Sequence, residues 1–118
     1  MKPNESEEYL ELEQQSLKIK EVLKFNQEKG YKMIMELLCY YPHAPQPQNL
    51  LGIYAEKHGD ILLAMKHYRA GWDLSPWYRP SRFNIERIAE EKKQYPYFCD
   101  QDVEVFQQQK KKKNLGGD

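Results

Sequence analysis

Residues 47–76 read PQNLLGIYAEKHGDILLAMKHYRAGWDLSP. Leu50, Leu51, Tyr54 and Ala55 recur at spacings of three and four, as do Leu63, Ala64, His67, Tyr68, Gly71 and Trp72. Each half therefore carries one helical face fit for burial. Between them Gly59 can take the left-handed conformation that ends a helix, and Asp60 offers a carboxylate to the free amides of the next one. Gly52, Ala64 and Gly71 are small where the two helices should touch, beneath the rings of Tyr54, Tyr68 and Trp72. Ser75-Pro76 closes the second helix, because proline disfavours helical geometry in the residue before it. A hairpin of helices follows, and a hairpin alone cannot close a core.

In their order and spacing, Leu51-Gly52, Gly59-Asp60, Ala64, Tyr68 and Pro76 resemble one tetratricopeptide repeat of about 34 residues. Gln48 and Ala55 stand where the family has larger apolar or aromatic residues, and Gly71-Trp72 is a bulkier form of its small-then-aliphatic pair. The resemblance implies an all-α fold, a short right-handed α-solenoid of two and a half to three such hairpins. It also implies a concave face, lined by the first helix of each hairpin, that takes a peptide or helix of another protein.

The flanks are read with the same rules. Residues 1–6 are polar and are expected to be flexible. Residues 7–28 are rich in Glu, Gln, Lys and Leu without interior Pro or Gly, which predicts a helix, with Ile19, Val22, Leu23 and Asn26 on one face and Gly30 as its stop. Ile34, Leu37, Leu38 and Tyr41 follow at i, i+3, i+4, i+7, an amphipathic stripe closed by Pro42 and Pro45. Residues 16–44 thus form a weaker copy of the central plan. After Trp77-Tyr78, a helix is expected over 80–93, with Phe83, Ile85, Ile88 and Ala89 as its apolar members and a proline in its first turn. A last helix, begun by Pro96 or capped by Asp100, is expected to run to Gln109, present Phe98, Val103 and Phe106, and cap the stack with a polar outer face. The helical domain then spans 7–109. Lys110, Lys111, Lys112 and Lys113, with Gly116-Gly117, predict a disordered tail over 110–118.

Lysine plus arginine and aspartate plus glutamate each number 18. No global field draws the chain to nucleic acid or an anionic membrane, although the lysine run leaves a nucleic-acid accessory role as the alternative. Cys39 and Cys99 form no close pair or framework, which suits reduced thiols in a cytoplasm. No apolar run is long enough for a membrane span, and the first residues lack the pattern of a signal peptide. Cys39 and His43 are separated by Pro42 and lack further ligands, so no metal is expected. There is no phosphate loop, no nucleophile elbow and no cysteine with an evident histidine partner, so no cofactor and no catalytic residue is expected. A binding function remains. Its expected surface is Asn49, Ile53, Lys57, Trp77, Tyr78, Phe83, Asn84 and Arg87: aromatic anchors beside an arginine and asparagines able to hold a carboxylate or a peptide backbone. A homodimer through an insufficiently capped end is the third reading.

Overall fold

The computed structural model describes residues 7–91 and 97–99. Over these residues the chain is all-helical, with α1 at Glu7–Phe25, α2 at Gln27–Tyr40, α3 at Pro45–Lys57, α4 at Ile61–Leu74 and α5 at Arg79–Ala89. Each helix packs on its neighbours in sequence, and α1 also reaches α3.

Leu12, Ser16, Ile19 and Leu23 of α1 are buried at alternating spacings of four and three, the stripe of one helix face. The stop lies earlier than Gly30. Asn26 leaves helical geometry with φ −152°, and its side chain accepts from the Lys29 amide at 3.0 Å, which starts α2. Gly30 instead lies inside α2, where a Cβ would run into the Leu23 side chain. It is a contact residue between α1 and α2.

The central hairpin forms as its sequence predicts, with α3 entered two residues earlier, at Pro45. Gly59 has φ +79°, and the Asp60 carboxylate accepts from the Leu63 amide at 3.1 Å. A Cβ on Gly52 would overlap the Tyr68 ring, so the backbone of α3 lies directly on that ring. Leu50, Ile53, Ala64 and Tyr68 are fully buried, and each large side chain among them contributes about 1.5–3 kcal/mol of burial. Tyr31 of α2 stacks on Tyr54 of α3 with centroids 4.9 Å apart, which ties the first hairpin to the second.

α5 is shorter than expected, ending at Ala89, and Glu91 takes a left-handed φ of +56°. Phe98 does not sit on a helix. Residues 97–99 have no helical geometry, and Phe98 and Cys99 are buried. The physical reason is visible in their surroundings: the groups that pair with the Phe98 main chain are side chains of α3 and α5, which leaves no role for helical bonds there. The remainder of the expected last helix, residues 100–109, lies outside the described residues, as do 1–6 and the lysine-rich 110–118. Among the described residues no helix is long and apolar enough to cross a membrane.

Candidate functional site

Three helices, α1, α3 and α5, meet around residues 97–99. Their apolar faces turn into the core, and their next row of side chains is polar yet buried: Lys20 on α1, Asn49 on α3, and Ser81, Asn84 and Arg87 on α5. Groups of this kind are stable inside a protein only when hydrogen-bonded.

The chain of bonds starts at Glu56. Its carboxylate accepts from Arg87 Nη1 at 3.1 Å and from Arg87 Nη2, a two-point pair with both side chains at least nine-tenths buried. The same carboxylate accepts from the Tyr68 hydroxyl at 2.7 Å. Burial, and then the Glu56 charge, push the Tyr68 phenol well above its ordinary value, so it stays a neutral donor. Arg87 Nη2 also donates to Asn84 Oδ1 at 3.3 Å. Because Oδ1 is thereby held toward the guanidinium, Nδ2 of Asn84 must face the other way.

That orientation places the Asn84 carboxamide against a main chain. Phe98 donates its amide N–H to Asn84 Oδ1 at 2.9 Å, and its carbonyl accepts from Asn84 Nδ2 at 3.0 Å. Asn49 Nδ2 donates to the same carbonyl at 2.9 Å. Asn49 Oδ1 in turn accepts from Asn84 Nδ2 at 2.9 Å and from the Ser81 hydroxyl at 3.3 Å. Both polar groups of one residue are thus read as a neighbouring β-strand would read them. Lys20 Nζ donates to the preceding carbonyl, of Tyr97, at 2.5 Å. Arg87 Cζ and Lys57 Nζ each lie 4.9 Å from the Tyr97 ring centroid, and Phe83 meets Phe98 edge-on at 5.4 Å. Burial, with the nearby cations Lys24 and Lys20, pushes the Lys57 ammonium below its ordinary value.

Of the residues expected to bind, Asn49, Lys57, Phe83, Asn84 and Arg87 converge on this segment. Ile53 lies in the apolar core, fully buried. Trp77 is 56% exposed in the α4–α5 connection, and Tyr78 is buried where it precedes α5. Lys20 and Ser81 escaped the sequence reading. The signal for Lys20 was its place on the α1 stripe beside Ile19, four residues after Ser16; lysine is otherwise taken for surface. Nothing local to Glu56 announces its partner, 31 residues away on α5.

The arrangement can bind, orient and desolvate a peptide group. Among the described residues no three His, Cys, Asp or Glu side chains come together as metal ligands. Compared with family models, curated proteins and solved structures, the chain matches none.

Proposed function

We propose that this chain is a non-catalytic protein-interaction module, a short right-handed stack of two and a half to three tetratricopeptide-like hairpins. The side shared by its odd-numbered helices holds an extended peptide. The repeat reading is supported by a fixed offset: Asn49 and Asn84 are 35 residues apart, and the same offset relates Pro45 to Pro80, Gln46 to Ser81, Leu50 to Ile85 and Ile53 to Ile88. Packing between successive helices is what a stack of repeats requires.

The observation that carries the binding function is the two-asparagine grip on Phe98. Contacts to main-chain N–H and C=O supply affinity for any extended segment, and neighbouring side-chain places supply selectivity. A buried, prearranged carboxamide loses little freedom on binding. The test is selection of peptides from a random displayed library on the full chain, followed by nitrogen-resolved NMR of the Asn49 and Asn84 side-chain amides. Selected peptides are expected to move those two pairs of signals. Peptides that bind yet leave both unmoved, or a library that yields none, would overturn the reading.

A further inference from the structure

The side chains that grip Phe98 also hold one another. Asn49 Oδ1 accepts from the Ser81 hydroxyl at 3.3 Å and from Asn84 Nδ2 at 2.9 Å, Asn84 Oδ1 accepts from Arg87 Nη2 at 3.3 Å, and Arg87 is paired with the buried Glu56 carboxylate. None of these bonds involves residues 97–99. Lifting that segment therefore leaves both carboxamides aimed as they are, with the N–H groups it releases open to water. The seat is preformed, as ligand sites usually are.

The seated segment has the form of a ligand. It meets the face through the main chain of Phe98, through the Lys20 bond to the Tyr97 carbonyl, and through two ring contacts, Phe98 on Phe83 and Tyr97 beside Arg87 and Lys57. It also lies on the helix it follows. α5 ends at Ala89, Glu91 takes φ +56°, and six positions later Tyr97 is back against Arg87, with Phe98 against Asn84. So short a tether sets an effective concentration of about millimolar. Burial of Phe98 and Cys99 favours the seated state further.

We propose that residues 97–99 are an autoinhibitory segment: they fill in cis the face that takes an extended peptide, and the face binds only in those molecules whose segment has lifted. This rests on the interaction-module reading above and adds its regulation. The apparent Kd of a competitor is its intrinsic Kd divided by the open fraction. A segment seated in about nine molecules of ten thus weakens a competitor about tenfold, and against a millimolar tether that corresponds to an intrinsic Kd of about 0.1 mM.

Phe98→Pro opens the face without altering it, because proline has no N–H for Asn84 Oδ1 and takes the ring away from Phe83. The probe is acetyl-Tyr-Pro-Tyr-Phe-Ser-Asp-Gln-amide, the chain's own residues 95–101 with serine in place of Cys99. It is titrated into both full-length chains while the Asn49 and Asn84 side-chain amides are followed by NMR. The opened chain is expected to bind with a Kd of about 0.1 mM and the wild type about tenfold more weakly. Far-UV circular dichroism checks that Phe98→Pro keeps its helices, and a second measurement decides the matter if it does not. In the chain carrying Cys39→Ser, which removes the exposed thiol, about 1 mM probe is expected to speed labelling of the buried Cys99 about fivefold, as the seated population is drawn down. Equal affinity in the two chains overturns the inference, and so does a Cys99 rate that the probe leaves unchanged. A helical Phe98→Pro chain that does not bind the probe shows residues 97–99 to be a piece of the fold, and overturns it too. If library-selected peptides still move both wild-type amides in any of these cases, only the autoinhibition falls; if none does, the interaction-module reading falls with it. A dimer by light scattering that Phe98→Pro abolishes puts a second copy's segment on the face and overturns the assignment in cis.

Discussion

Helix α3 is gripped on two sides by opposite means. Toward α4 the contact is chiefly one of shape: a glycine backbone against a tyrosine ring, with alanines and leucines filling the rest and two hydrogen bonds, Tyr68 to Glu56 and His67 to Gln48, beside it. Toward α5 it is one of hydrogen bonds, with Asn49, Ser81, Asn84, Glu56 and Arg87 buried in a single network that closes on Phe98. The first kind of contact tolerates many apolar solutions of similar volume. The second tolerates few, because every buried polar atom that loses a partner retains its desolvation cost. Stability can come from either side, but recognition of a main chain, here that of Phe98, comes only from the second.

The sharpest way to break this contrast is at Glu56, which belongs to both sides. Glu56→Ala leaves a buried guanidinium and a buried phenol without their acceptor, and is expected to cost about 3–5 kcal/mol in urea unfolding. A loss below about 1 kcal/mol would show the pair to be solvated and the contrast false. Asn84→Ala comes next, at about 1–3 kcal/mol, because it strands the Phe98 N–H and removes one of the two donors to the Phe98 carbonyl. Faster labelling of Cys99 should accompany it, and unchanged protection would mean that the asparagine does not hold the segment.

On the apolar side, Gly52→Ala forces a methyl group into the Tyr68 ring, with an expected cost of about 1–3 kcal/mol and no change in Cys99 labelling beyond that of global unfolding. Gly59→Ala strains a left-handed residue without crowding any neighbour, so about 1 kcal/mol is expected in the same denaturation assay. The smallest effect concerns pH. His67 lies between the hairpin helices with Nδ1 donating to Gln48 Oε1 at 2.9 Å, and burial lowers it from its ordinary 6.5. Below 6.5 the unfolded chain takes up that proton more readily than the folded one, so the stability contributed above 6.5 is lost as pH falls through the lowered folded value. His67→Gln should flatten the slope of urea midpoint against pH between 7 and 5.5; an unchanged slope would remove His67 as its source.

The same contrast explains what the sequence disclosed. Apolar residues repeat with helical period because burial imposes it, so the five helices, the Gly59-Asp60 turn and the closure at Ser75 were legible. Periodicity puts Asn26 on the α1 face and makes Gly30 a stop, but a glycine can end a helix or let another helix approach, and only the position of Leu23 decides. Residue type alone makes Asn49, Asn84 and Arg87 surface groups awaiting a ligand, whereas all three are buried and bond to this chain's own Phe98 and Glu56. No periodicity marks a polar residue whose partners are main-chain atoms of a distant segment. Phe98 departs from its expected helix for the related reason that an aromatic residue among helix formers reads as a helix face, and the asparagines that hold its main chain lie 49 and 14 residues earlier.

The bond from Lys20 to the Tyr97 carbonyl spans 77 residues, which has a consequence for synthesis. Every helix-to-helix contact among α1 to α5 is available before residue 97 has been made, so those helices can assemble as the chain leaves the ribosome. The two asparagines, Lys20 and Arg87 then wait with an empty face until Tyr97 and Phe98 emerge. Closing that face on Tyr97 and Phe98 is therefore a late, long-range step of folding, made against the loop-closure entropy of a separation that large.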